Sequence, residues 1–267
     1  LPRHDRIFCD LGISTSLGFM FLIHALQRGG TLFWRGADAS VTMQSFGLYG
    51  VEVMIGSPAG LSEFLRYYEQ SPHFGSSFKL IVSAGSRLAP QLAQSVRARL
   101  CSHLVSLYGS TEMGMVATAP VHMLAAQPDA VGYVLPGAIV EIVSATGEVL
   151  PAGQPGLIRI RTDYMASCYL GGAAGGACRD GWFYPGDVGT LDDDGLLAMG
   201  GRQTSIINLG GDKIDPETLE AALKSFPGVR DVAVFAEDDS MGVEQLQIAV
   251  VADASLDEAA FRQHAAR

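Results

Sequence analysis

The chain has 267 residues, 48% of them hydrophobic and 17% charged, which excludes intrinsic disorder and supplies the core of one large domain or two. Its 18 Lys and Arg against 28 Asp and Glu leave a net charge of -10. That balance excludes a general nucleic-acid binder, which needs clustered basic residues, but leaves room for a nucleotide ligand.

The most membrane-like run, Leu11 to Leu26, is interrupted by Ser14, Thr15, Ser16 and His24. A spanning helix needs about 20 mostly apolar residues, so the run predicts a buried helix and no membrane span. Val51 to Ile55 reads as a strand, and Pro58 to Glu69 as a helix with Leu61, Phe64, Leu65 and Tyr68 on one face. Lys79 to Val82 is a second strand. Pro90 to Leu100 is a helix, with Pro near its start and Leu92, Val96 and Leu100 spaced by four. Leu104 to Leu107 is a third strand. Strands alternating with helices predict a parallel or mixed sheet over residues 1 to about 125.

From about 131 to 202 the texture becomes β-rich and barrel-like. "VEIVSATGEVL" predicts a hairpin turning at Thr146-Gly147, "GLIRIRT" a half-buried strand, and "GTLDDDGLLAMGG" a second hairpin. Asp192-Asp193-Asp194 lacks the following Glu of a calcium loop and reads as a solvated hairpin tip. The Gly-rich stretch 171–181 predicts a surface loop. It is no phosphate loop, because no Gly-Lys-Ser/Thr follows. Strand and helix signals return at Pro216 to Phe226, Val232 to Phe235, Leu246 to Val251 and from Leu256 onward. Residues 203–267 are therefore expected to start a small α+β domain after a large domain at 1–202.

Cys9, Cys101, Cys168 and Cys178 lie far apart without C-x-x-C spacing, which argues against a zinc site or a disulfide framework. Reduced thiols and a cytoplasmic setting follow as expectations. No signal-peptide pattern is seen. The opening on Leu1 without Met fits a piece of something longer.

The densest polar cluster is Tyr108-Gly109-Ser110-Thr111-Glu112, directly after an apolar run. A strand ending there would carry polar groups to a sheet edge, where ligands sit in open α/β folds. A turn with a helix cap fits the stretch equally well. Three more segments bear on the choice: "SAGSRL" (83–88), "GWFYPGDVGTLDDDG" (181–195) and "GRQTSIINLGGDKIDPETLE" (201–220). In order and spacing the four resemble the motifs of the AMP-forming adenylating superfamily. Its members include acyl- and aryl-CoA synthetases, firefly luciferase and the adenylation domains of peptide synthetases.

The resemblance implies a reaction that joins a carboxylic acid to the α-phosphate of ATP, then passes the acyl group to coenzyme A. Alternatives are transfer to a carrier-protein pantetheine, or a degenerate homologue that binds nucleotide without turnover. Both reactants are anionic, so their charges must be neutralised and held in line. By resemblance, Tyr108 stacks on adenine and Gly109 lets the backbone approach it. Ser110 belongs to the same motif. Thr111 meets the α-phosphate, and Glu112 holds Mg²⁺. Main-chain groups of Gly85, Ser86 and Arg87 border the base, and Asp187 and Arg202 reach the ribose of ATP or AMP. Thr204 falls at the hinge of a C-terminal domain that rotates between half-reactions, and Gly210 and Gly211 would line the pantetheine tunnel.

Read alone, Asp187 is also a plain turn residue after Pro185-Gly186, Arg202 a surface charge and Gly210-Gly211 an ordinary turn. The chain departs from the family pattern in places. Nothing matches the upstream phosphate loop ending in Pro-Lys; "GISTSLG" (12–18) shares only its composition. The catalytic Lys expected some tens of residues beyond Leu246 has no counterpart before Arg267. Pro185 replaces a Thr, Thr204 an acidic or Lys hinge, and Asn208 a Lys. The family's acyl-side His falls near Ile13 or Ser14. Ser57, Pro58 and Met113-Gly114-Met115 are candidates for the acid pocket.

Overall fold

A computed structural model describes residues 6–36, 38–70, 78–127, 129–166, 177–202, 207–209, 212–214, 216–253 and 256–265. The first half alternates β1 (Arg6–Cys9), α1 (Ser16–Arg28), β2 (Thr31–Trp34), α2 (Ala39–Tyr49), β3 (Val53–Gly56), α3 (Pro58–Gln70), β4 (Leu80–Ser83), α4 (Pro90–Arg99) and β5 (Leu104–Ser110). These strands pair in parallel in the order β2-β1-β3-β4-β5. Every residue of β3 is buried, as expected for a parallel strand covered on both faces. On one side Phe8, Phe46 and Phe64 interlock, with Phe8 and Phe64 edge to face at 5.4 Å. On the other, Ile7, Cys9, Phe21 and Ile55 pack beneath α1.

After β5 the sheet turns antiparallel. It continues through β6 (Gly114–Pro120), β7 (Ala130–Val134), β13 (Leu196–Arg202), β12 (Asp187–Leu191) and β9 (Gly156–Thr162). β8 (Ala138–Val143) lies along one edge of β9. The other edge of β9 meets β12 and then β11 (Trp182–Phe183), whose partner is β10 (Cys178–Arg179). Among the described residues, 13 strands thus share one sheet. Pairing switches from parallel to antiparallel at the β5–β6 hairpin, ahead of the change of texture near residue 131, and hydrogen bonding runs continuously across both.

The C-terminal stretch holds β14 (Ile207–Leu209) paired with β15 (Asp212–Ile214), α5 (Pro216–Lys224), β16 (Val229–Asp238) paired with β17 (Glu244–Ala252), and α6 (Glu258–Ala265). Its core is Ile207, Leu223, Val232, Val234 and Phe261. The turn between β16 and β17 reaches back to the first half. Val243 is buried within the Phe8–Phe64 cluster, and Gly242 sits over Ala89 at the start of α4.

Three expectations need correcting. The Leu11–Leu26 run does not form a buried helix. It bends at Thr15, which caps α1 by accepting from Gly18 N, and Phe19, Ile23 and Leu26 of α1 are exposed. The turn at Thr146-Gly147 exists, but the strand before it pairs with the residues after it only at Val143 and Val149; the extended partner of β8 is β9. The Leu104–Leu107 strand runs on to Ser110. Most of the 171–181 loop lies outside the described residues. Among those that are described, no helix is long and apolar enough to cross a membrane.

Candidate active site

β5 and β6 form a hairpin, with Ser110 opposite Gly114 and Thr111-Glu112-Met113 as its tip. No helix follows, so the polar cluster is a hairpin tip rather than a helix cap. Two glycines let the strands close this tightly. A Cβ on Gly109 would stand 2.2 Å from the Gly114 carbonyl oxygen, and Gly114 itself has φ of 69°. The ladder shifts register between Tyr108 and Gly109, a bulge that re-aims the chain just before the tip. Ser110 Oγ donates to Glu112 Oε2 at 2.5 Å, which holds the carboxylate over the turn.

The tip lines a cleft of about 1510 Å³. That is larger than one drug-sized ligand needs. The same cleft is lined by Gly85, Ser86 and Arg87 from the loop after β4, by Tyr108, Gly109, Ser110, Thr111 and Glu112, and by Pro185 and Asp187 before and at the start of β12. Residues 79 positions apart also touch directly: Tyr108 Oη donates to Asp187 Oδ2 at 2.7 Å. Asp187 is 3% exposed, so this hydrogen bond partly offsets the cost of burying a carboxylate. Arg202 stands opposite Asp187 in the β12–β13 ladder. Thr204, Gly210 and Gly211 lie outside the described residues.

Arg87 and Asp129 form an ion pair, and both line the cleft. Apolar side chains Leu11, Leu17, Met20, Leu107 and Met113 line it as well, as do Glu220 and Glu244 of the C-terminal stretch. Apart from Met113 and Glu220, motif spacing does not single these out, because none of the others belongs to a motif segment. Met113, Gly114 and Met115 reach the cleft as expected, whereas Ser57 and Pro58 are not among its lining residues. Ser57 is instead buried at the start of α3, where its Oγ accepts from Gly60 N at 3.2 Å. In the acidic triple, Asp192 Oδ1 accepts from Leu196 N at 2.7 Å, while Asp193 and Asp194 are exposed.

No group of three His, Cys, Asp or Glu side chains able to enclose a metal ion occurs among the described residues. Mg²⁺ does not need such a cage. It keeps several waters and is held by one or two carboxylates together with substrate phosphates. The half-buried Glu112 carboxylate, steadied by Ser110 on the cleft wall, fits that requirement.

Known proteins resemble this chain in sequence and fold. The chain is 28% identical over 259 residues to 4-coumarate–CoA ligase 4 of Arabidopsis thaliana, covering 93% of itself and 45% of that protein. It is 27% identical over 264 residues to the 3-hydroxybenzoate–CoA/4-hydroxybenzoate–CoA ligase of Thauera aromatica, covering 92% of itself and 48% of that protein. The solved structure of the amide bond synthetase McbA from Marinactinospora thermotolerans superposes with a TM-score of 0.84 at 26% identity, over 98% of this chain and 55% of that one. The chain thus spans about half the length of the curated relatives it matches. A family model described as AMP-binding enzyme matches residues 1–170, and the chain belongs to that family.

Proposed function

We propose that the protein carrying this chain activates a carboxylic acid with ATP through an acyl-adenylate and then passes the acyl group to the thiol of coenzyme A. The observation that carries the reading is the convergence of Tyr108, Thr111, Glu112 and Asp187 on one cleft large enough for a nucleotide and an acid together. The relatives' names support the class. Two are CoA ligases of aromatic acids and one an amide bond synthetase.

Each residue has a task set by its chemistry. The Tyr108 ring offers a flat face to adenine, and its hydroxyl is already spent on Asp187. Asp187, fixed by that bond, accepts from the ribose hydroxyls, and Arg202, its register partner on the neighbouring strand, is assigned to the same sugar by the family resemblance. The loop at Gly85, Ser86 and Arg87 borders the base. The Thr111 hydroxyl donates to the α-phosphate. Glu112 would hold Mg²⁺, which neutralises phosphate charge as the anionic acid approaches. Leu11, Leu17, Met20 and Met113 give the acid an apolar wall, which favours an aryl or alkyl acid over a second charged group.

Residues 203–267 serve in this reading as a separate unit turning about Thr204, with Gly210 and Gly211 flanking the pantetheine arm. The working location is the cytoplasm. The test is acid-dependent exchange of labelled pyrophosphate into ATP by the full-length protein, run over a panel of aryl, alkyl and dicarboxylic acids, followed by thioester detection with coenzyme A. Exchange with none of the acids would refute the reading.

A further inference from the structure

A hairpin tip built on a bulge and two glycines is soft, since glycine resists ordering more than any other residue. Yet this tip must present Thr111 and Glu112 in one orientation. The segment at and just past the end of β9 supplies the stiffness. Ala166 N donates to Glu112 O at 2.7 Å, Thr162 Oγ1 donates to Met113 O at 3.2 Å, and Tyr164 Oη donates to Met115 O at 2.9 Å. The Tyr164 ring also covers Gly114 so closely that a Cβ there would fall 2.5 Å from its Cε2. Thr162 is 5% exposed, which fits a structural hydroxyl rather than a ligand contact.

The donors sit 49 or more residues from their acceptors in sequence, at or just past the end of a different strand of the sheet. None of Thr162, Tyr164 and Ala166 is among the residues that line the cleft, whereas Thr111 through Met115 all are. We propose that Thr162 and Tyr164 are positioning residues, which clamp the carbonyl side of the tip so that its hydroxyl and carboxylate face a phosphate-bearing nucleotide and its divalent cation. The proposal rests on the nucleotide reading above. It assigns to the β9 end a role in ligand affinity that no motif in the sequence marks.

The test uses Thr162→Val and Tyr164→Phe in the protein carrying this chain, which remove one donor each and keep nearly the same shape, with Thr162→Ser as the conservative rescue. Three quantities are measured: hydrogen exchange of the amides from 109 to 115, the affinity for ATP at varied Mg²⁺, and the affinity for adenosine. Each loss variant should exchange faster at the tip and bind Mg²⁺-ATP about threefold to tenfold more weakly, the effect of one lost hydrogen bond. Adenosine, which has no phosphate, should bind within about twofold of wild type, and Thr162→Ser should behave as wild type. Wild-type exchange and wild-type Mg²⁺-ATP affinity in both loss variants would overturn the clamp. So would an equal loss for adenosine and Mg²⁺-ATP, the mark of a general structural defect. If the wild-type protein binds neither ligand while tip exchange still rises in the variants, the nucleotide reading is what fails, and the clamp's role in affinity goes with it.

Discussion

Tyr108 and Asp187 are joined by a 2.7 Å hydrogen bond between the end of β5 and the start of β12, two parts of the chain with no sequence proximity. The bond couples the wall assigned to adenine with the carboxylate assigned to ribose. Tyr108→Phe keeps the ring and removes only the hydroxyl. Because the acceptor is a buried carboxylate, the folded state should lose about 1 to 2 kcal/mol. AMP affinity should fall about threefold to tenfold as Asp187 loses its fixed orientation, while adenine without the sugar should be little affected. Calorimetric titration with both ligands checks this. An equal drop for adenine and AMP would mean that the hydroxyl serves the base and not the sugar.

Glu112 is the carboxylate best placed to hold a cation. Glu112→Gln keeps the shape and an oxygen that can accept from Ser110, and removes one negative charge. The Mg²⁺ concentration for half-maximal pyrophosphate exchange should rise about tenfold or more, the scale seen when metal-site partners are altered. The affinity for adenosine should stay the same. A magnesium titration of exchange in both proteins decides it, and an unshifted midpoint would move the metal role elsewhere.

Much of this site was legible before the structure because its chemistry is local. Tyr108 to Glu112 and the Asp187 segment each carry their residue types in a few consecutive positions. The alternation of β3, α3, β4 and α4 was legible for a related reason: burial imposes a period that survives in the sequence. What stayed hidden was partnership. Periodicity says that β8 is a strand but not that β9 is its neighbour, because register is set between elements. The apolar content of the Leu11–Leu26 run suggested burial, yet only one side of α1 meets the sheet, leaving Phe19, Ile23 and Leu26 exposed. Ser57 follows a strand end, where a ligand contact is reasonable, but its oxygen is used at the start of α3. Thr162 and Tyr164 carry no signal at all, because their role depends on carbonyls of a distant hairpin.

Cys9 makes a pH prediction. Its thiol is buried at the end of β1, and burial, only partly offset by hydrogen bonding with the Leu11 backbone and reinforced by the nearby Asp10 charge, pushes its pKa up to about 11 from 9.0. The folded state therefore holds this proton more tightly than the unfolded state. The stabilisation is complete below pH 9 and is lost as pH rises from there through about 11. Denaturant midpoints should fall over that window, and Cys9→Ala should flatten this part of the decline from a lower starting stability. Thiol labelling at pH 8 should modify the half-exposed Cys178 well before Cys9. A Cys9 that reacts as fast as Cys178 would contradict the burial argument.

Gly109 gives the sharpest test of the hairpin geometry. A methyl group there would meet the Gly114 carbonyl oxygen at 2.2 Å and its carbon at 3.1 Å, both backbone atoms that no rotamer change can move aside. The two strands must part at the bulge, and the displaced tip carries Thr111 and Glu112 with it. The hydrophobic core around Phe64 includes no residue of the hairpin tip, while Met113 of the tip belongs to the core around Ile160 and would be disturbed with it. Gly109→Ala should therefore remain folded, with a loss of about 1 to 3 kcal/mol of the kind overpacking produces. Its Mg²⁺-ATP affinity should fall by more than that of Tyr108→Phe, because the whole tip shifts and not one hydroxyl. Circular dichroism, thermal melting and calorimetry on the two variants separate these effects. A Gly109→Ala protein that binds Mg²⁺-ATP as wild type would show that the Thr111-Glu112 tip is not the phosphate end of the cleft.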